Sequence, residues 1–465
     1  MGNKLERKYG LFTAICMVVG IVIGSGVFFK AQVILQKTGG NMPLGIVAWI
    51  IGGLIMVACS LAFATMARKY EKVNGIVDYA EATLGKNYAY YVGWFMTTVY
   101  YPTLTSALAW LSARYTLEFI VSVNPNFKLI IPAAEGGCVI GPECVALTLL
   151  FLCCAYALNA LSPKLAGKFQ VSATVIKLIP LGVMAVGGII YGLVTGGLAK
   201  NFTEIAVVGD VVNNPLLASV CATSFAYEGW IIATSINAEL KDSKRNLPIA
   251  LVLGGLIVIA VYILYYIGVA GGATNQELIE KGATIAFTNL FGNVLGNILN
   301  LFIAISCMGT LNGLMLGCVR GAYSIAVRNE GPKPKVFGVI DEHTNMTTNS
   351  AIMGLLLCAL WFTYFYLSNL AGTWSTYIFD PTELPILTMY ALYIPIFVAF
   401  MAKSKGEGFF RRTIIPAVAI IGSLFMVYAT ILAHGINCVW YLIVFALIMI
   451  LGMALKNSSK RCSDK

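Results

Sequence analysis

From one end of the chain to the other, apolar runs of about 20 residues alternate with short polar connections. A helix needs about 20 such residues to cross the ~30 Å hydrocarbon core of a bilayer. The pattern predicts about twelve membrane-spanning helices, near residues 10–36, 44–67, 88–120, 143–161, 168–193, 215–240, 248–270, 288–328, 349–368, 382–402, 411–434 and 438–456. Lys4, Arg7 and Lys8 precede a first run too long for a cleavable signal peptide, so that span is expected to remain in the protein.

Two of these spans are interrupted. An unpaired backbone group in lipid costs several kcal/mol, so a helix broken at membrane depth must line a protein-enclosed or watery cavity. The first span reads VVGIVIGSGVFF, with Gly20, Gly24 and Gly26 bracketing Ser25 halfway across, and the sixth reads SFAYEGW, with Glu228 beside Gly229. If spans one to five form one repeat (10–193) and spans six to ten a second (215–402), both breaks fall in the first helix of a repeat. An odd number of crossings then inverts the second repeat relative to the first. Two more helices (411–456) and short cytoplasmic ends (1–9 and 457–465) complete this division. Paired interruptions at corresponding positions point to a secondary transporter's binding site near the midplane. A GSG motif alone favours a close-packing device between helices; the second break reverses that reading toward binding.

The chemistry on offer is specific. A helix starting after Ser25 presents unsatisfied N–H groups and a positive dipole end to a carboxylate, and Gly24 and Gly26 allow close approach to the backbone. Carbonyls freed at Val22 and Ile23, and near Phe225 and Ala226, can accept from an ammonium group. A carboxylate and an ammonium one carbon apart describe an α-amino acid.

Composition and charge sharpen this picture. With 58% hydrophobic and 11% charged residues, the chain is an integral membrane protein. Placing the N-terminus in the cytoplasm gathers most basic residues in inner connections and leaves Lys30, Lys37, Lys128, Lys200 and Lys281 in the outer set. Both termini are thus expected to be cytoplasmic, and the net charge of +10 reflects that asymmetry rather than nucleic-acid binding.

Ionisable residues inside spans are functional candidates. Glu228, flanked by Tyr227 and Gly229, is expected to face the cavity and neutralise a cationic side chain; an ion pair with another span, or a protonated acid bonded to backbone, is the structural alternative. Lys177, in ATVIKLIPLG, can tether neighbouring carbonyls as a bound sodium ion would, release a proton on burial, or extend toward an interface. Arg114 reads as interfacial. His343 and His434 are too few and too separate for a metal site and are expected to be solvated. Cys138 and Cys144 share an outer loop, as a disulfide or as two thiols. No nucleophile elbow, HExxH or phosphate-binding loop is present, so neither an enzyme nor a cofactor is expected.

Several motifs together resemble the amino acid–polyamine–organocation superfamily and, within it, the L-type amino acid transporters. GIVIGSGVFF at 20–29 resembles the family's first-helix signature. SFAYEGW and AELKDSKRNLPIA (238–250) are similar to its sixth helix and following loop, and SCMGTLNG (306–313) and AVRNEGPKP (326–334) to its eighth helix and exit. The resemblance covers spans one to ten and implies an all-α membrane protein of the LeuT-like kind: two inverted five-helix repeats plus two C-terminal helices, with helices 1 and 6 broken.

It further implies that Ser25 and Gly26 hold the substrate carboxylate, that the Val22, Ile23, Phe225 and Ala226 carbonyls hold its ammonium, and that Phe225 gates the site. Lys177 matches a lysine of sodium-independent members; Asn312 falls in the eighth-helix motif. Two positions depart from the pattern of neutral amino acid carriers. An acid stands at Glu228, as in the branch handling cationic amino acids and cystine, and Arg68 replaces a usual acidic residue. Animal members bind a single-span glycoprotein through an outer cysteine in the region of Cys138; bacterial relatives work alone. The function so implied is a sodium-independent exchanger of neutral and cationic L-amino acids in the cell membrane. The alternatives are a proton-coupled amino acid or polyamine carrier and, in another class, an amino-acid sensor or a channel.

Overall fold

The computed structural model describes residues 10–70, 75–124, 126–130, 141–205, 214–233, 240–341, 347–370 and 379–463. Nearly all of them are helical. In chain order the helices are α1 (Leu11–Val22), α2 (Gly26–Lys37), α3 (Met42–Ala67), α4 (Ile76–Leu84), α5 (Lys86–Phe95), α6 (Tyr101–Val123), α7 (Pro142–Leu161), α8 (Pro163–Val183), α9 (Ile189–Thr195), α10 (Gly197–Thr203) and α11 (Pro215–Ala226). They continue with α12 (Trp230–Ala233), α13 (Ser243–Gly272), α14 (Asn275–Lys281), α15 (Ala283–Ala326), α16 (Pro334–Phe337), α17 (Thr348–Phe365), α18 (Leu384–Lys403), α19 (Ile415–His434) and α20 (Asn437–Ser463). Among the described residues nine helices are long and apolar enough to cross a membrane, and the bent pair α1–α2 makes a tenth. The protein is an all-α, multi-pass membrane protein.

The helices fall within a few residues of the predicted spans, with two exceptions of physical interest. The first span bends by 52° between α1 and α2. The sixth stops at Ala226, turns through Tyr227, Glu228 and Gly229, and resumes as the short α12. Gly229 has φ +103°, a conformation a side chain would strain, which is why the turn carries glycine there.

Contacts divide the chain into two compact units. One comprises Met1–Val92, Met184–Ala283 and Ile386–Ala433; the other comprises Gly93–Val183, Thr284–Pro385 and His434–Lys465. In lipid there is little hydrophobic gain from helix association, so small residues that let helices approach closely carry the packing. In the first unit, a Cβ at Gly52 would lie 2.0 Å from Thr223 Oγ1 and one at Gly188 would lie 2.2 Å from the Gly268 carbonyl oxygen. In the second, a Cβ at Gly354 would lie 2.4 Å from the Cys318 carbonyl oxygen, and Trp361 Nε1 donates to the Thr98 carbonyl at 2.7 Å.

The far end of α2 is fastened to a polar connection of its own unit. Gln32 and Gln36 both donate to the Ile279 carbonyl, at 2.8 and 2.9 Å, holding α14 against α2. Asn275 extends the clamp by donating to the Gly40, Asn201 and Glu204 carbonyls. α14 itself begins with a capping box, in which the Thr274 amide and hydroxyl hold the Glu277 carboxyl below its usual range.

Three sequence expectations need correction, the first two for Lys30 and His434 and the third for Cys144. Lys30 does not lie in a connection: it sits within α2 at 5% exposure. His434 is not solvated: its ring contacts Glu383 at 3.0 Å, and the Glu383 side chain is 2% exposed. Both are polar groups whose partners come from packing that no local pattern announces. Arg114 pairs with Glu118 on the next turn, 2.7 Å away, over the rings of Trp110 and Tyr115. Cys144, expected in an outer loop, is instead buried in the first turn of α7; Cys138, His343 and the basic residues before Gly10 lie outside the described residues.

Candidate functional site

The two breaks meet inside the first unit. A Cβ on Gly26, the first residue of α2, would fall 2.7 Å from the Ala226 Cα, the last residue of α11. On the other strand of the crossing, a Cβ on Gly229 would fall 3.3 Å from the Ile21 carbonyl oxygen in α1. The two breaks are thus packed backbone against backbone at their edges, Gly26 on Ala226 and Gly229 on Ile21, and glycine at 26 and 229 is what permits it. Val22, Ile23, Ser25, Gly26, Phe225, Ala226 and Tyr227 are all buried; Glu228 is half-buried, the acid among them that retains access to open space.

Ser25 precedes α2 as its N-cap residue, yet its side chain caps nothing. Its hydroxyl is buried and has no hydrogen-bond partner among the described residues. A buried hydroxyl left unmade costs about 1–3 kcal/mol, which a ligand oxygen arriving at the α2 N-terminus would recover. The helix start has its own unsatisfied N–H groups and positive dipole end aimed at the same place.

Sequence reasoning missed the residue that joins the two breaks. Tyr262 of α13 points its hydroxyl at the Val22 carbonyl (3.1 Å) and the Ala226 carbonyl (2.9 Å), while the Gly24 amide faces the same oxygen. One hydroxyl proton serves two carbonyls, so these acceptors keep lone-pair capacity for a further donor. The available signal was the trio Tyr262, Tyr265 and Tyr266 in a span where a phenol must find a polar partner. Tyr227 is anchored similarly: its hydroxyl donates to the Trp49 carbonyl at 2.8 Å, and Trp49, Tyr227 and Tyr262 pack ring against ring at 5.2 to 5.7 Å.

Aromatic groups flank the crossing on either side. On the α2–α11 side, Phe29 meets Phe225 edge-on at 5.3 Å. On the α12 side, Trp230 and Phe63 pack with Tyr393, and Phe63 also meets Phe397 at 4.9 Å. Glu228 has Cys59 and Tyr390 as electrostatic neighbours in the same unit.

Lys177 and Asn312 belong to the second unit. Lys177 lies in α8 at 3% exposure, which does not fit an ammonium extended to a helix end. Asn312 is a node between helices: its amide donates to Ala166 and Gln170, and it accepts from the Asn159 amide at 2.9 Å, tying α15 to α7 and α8.

Residues 9–454 match the family described as Amino acid permease. The chain is similar to the serine/threonine exchanger SteT of Bacillus subtilis (strain 168), 27% identical over 452 residues that cover 94% of each chain. It is also similar to the human b(0,+)-type amino acid transporter 1, 25% identical over 447 residues, 96% of this chain and 87% of that one. Among solved structures it resembles MhsT in complex with L-phenylalanine, with a TM-score of 0.60, 14% identity and coverage of 96% of this chain and 99% of that one. That likeness shows the fold, the LeuT-like arrangement with its first and sixth helices broken.

Proposed function

Because the chain belongs to the amino acid permease family and is an amino acid transporter, we propose that it is a sodium-independent exchanger of neutral and cationic L-amino acids that works by alternating access. The observation that carries this reading is the crossing of the two breaks, with the buried Ser25 hydroxyl, unpartnered among the described residues, at a helix N-terminus, and with the Val22 and Ala226 carbonyls gathered on the Tyr262 hydroxyl. Ser25 and the Gly26 amide take the α-carboxylate, with Gly24 giving close access. The Val22, Ile23, Phe225 and Ala226 carbonyls take the α-ammonium. Tyr227 supports the turn, Phe225 closes over the substrate, and Glu228 pairs with a cationic side chain.

Lys177 supplies the fixed positive charge that a sodium ion supplies in coupled carriers, and Asn312 steadies the helix that faces its own unit. The protein works in the cell membrane with both termini cytoplasmic. A single-span glycoprotein partner applies only to a chain of animal origin. The repeat division at 10–193 and 215–402 belongs to the same proposal.

Labelled arginine entering sodium-free proteoliposomes is the test. Uptake into vesicles preloaded with unlabelled amino acid, and none into empty ones, is expected. Equal uptake into empty vesicles, driven by a pH gradient, would instead make the protein a proton-coupled carrier using Glu228 or Lys177.

Tyr262 gives a second, sharper expectation. Tyr262→Phe leaves two carbonyls and an amide without their common partner, a loss worth about 1–3 kcal/mol. The half-saturation concentration should rise roughly tenfold or more, and by the same factor for arginine, leucine and serine, because the α-amino group is common to all three. Competition uptake with each amino acid reads this directly; a change confined to one side-chain class would detach Tyr262 from the α-ammonium.

A further inference from the structure

Lys30 has no place in the scheme above. It lies one turn after Gly26 at 5% exposure, near the positive end of α2, where a cation gains nothing from the helix. Its ammonium sits 5.4 Å from the Phe225 ring centroid and 5.9 Å from that of Phe29, the two rings that meet each other on this side of the crossing. Ring faces attract a cation, more so when it is desolvated. The result is an ammonium held against the gate aromatics, about 6 Å of helix rise from the proposed carboxylate site at Gly26.

We propose that Lys30 is a specificity-determining residue that sets which side-chain charge the α2–α11 side of the site accepts. This rests on the reading of the crossing as an amino acid site. A guanidinium or ammonium side chain directed toward Phe225 meets a like charge in a water-poor setting, whereas a carboxylate meets an opposite one. Cationic substrates are therefore turned toward the α12 side. Glu228 stands there: its neighbour Gly229 approaches Ile21 in α1, beyond the break from Lys30. The two charges sort the substrate's side chain by sign.

The experiment is displacement of labelled leucine from the purified protein by leucine, arginine and glutamate, in wild type, Lys30→Met, Lys30→Gln and Lys30→Arg. Thermal unfolding confirms that each variant is folded, and Lys30→Gln stands in if the methionine variant is not. Removing the charge should improve arginine relative to leucine roughly ten- to a hundredfold and weaken glutamate, since a like charge within about 6 Å acts at the effective dielectric of a protein site. Lys30→Arg should keep the wild-type ratios. Unchanged ratios in the neutral variants, or a shift equal for all three amino acids, would overturn the assignment, the second outcome making Lys30 an aid to the shared carboxylate. Binding ratios do not depend on exchange. Failure of the preloading requirement therefore leaves this test readable, and arginine displacing leucine only from Lys30→Met would support Lys30 while refuting cation transport by the wild type.

Discussion

Alanine at position 26 is expected to abolish high-affinity amino acid binding, while alanine at position 182 leaves it intact. The Gly26 Cβ would lie 2.7 Å from the Ala226 Cα, 3.2 Å from the Phe225 ring and 3.3 Å from the Ala226 Cβ. The nearest of these is backbone and cannot rotate away, so α2 and α11 must separate. Overpacking of this kind costs about 1–3 kcal/mol, which corresponds to roughly a 10- to 100-fold loss in a binding constant that depends on the crossing. Gly182, in α8, has nothing within 4 Å of its added Cβ. Alanine is the better helix former by up to about 1 kcal/mol, so Gly182→Ala serves as the control for glycine loss as such. Labelled-leucine binding to both purified variants, with their unfolding temperatures, separates a damaged site from a damaged fold. A Gly26→Ala protein that binds normally would show that the crossing is packing and not the site.

Much of this architecture was legible in the sequence because a bilayer leaves few choices. Every backbone polar group must be satisfied inside its own segment, so apolar runs become helices and the exceptions stand out. The GSG and AYEGW breaks were found that way, and the structure puts them in contact through Gly26 and Ala226. What the sequence withheld were partners distant along the chain. Tyr262 reaches Val22 across 240 positions, and no spacing rule connects a phenol in the seventh span to a carbonyl in the first.

Lys30 was misplaced for a related reason. The positive-inside rule counts charges and assigns them to connections, and it does not see that a lysine within a helix can lie against two phenylalanines. His434 was assigned to water because its partner, Glu383, precedes it by 51 positions. Asn312 illustrates the opposite limit. Its motif was recognisable, while its bonds to Ala166, Gln170 and Asn159 describe a brace between helices and follow only from how α7, α8 and α15 pack.

Neutralising Glu228 is the remaining large effect, and it bears on substrate choice more than on transport as such. The side chain emerges from the turn between α11 and α12, half-buried where its neighbours Ala226, Tyr227 and Trp230 are fully buried. A hydrogen bond to a charged group is worth about 1.5–3 kcal/mol, so Glu228→Gln should weaken arginine and lysine roughly 10- to 150-fold relative to leucine and serine. Leucine itself should change little, since no part of it meets the carboxylate. Glu228→Gly tests the same point without the amide, at a turn whose next residue is already glycine. Competition uptake in proteoliposomes, with the four amino acids against labelled leucine, gives the ratios. If arginine and leucine fall together, Glu228 holds the turn through Cys59, Tyr390 or other neighbours, and the acid is structural. If arginine alone falls, and Lys30→Met in the same background no longer favours it, the two charges act on one side chain. The coupling between them then measures how far cationic selectivity comes from attraction at one break and how far from repulsion at the other.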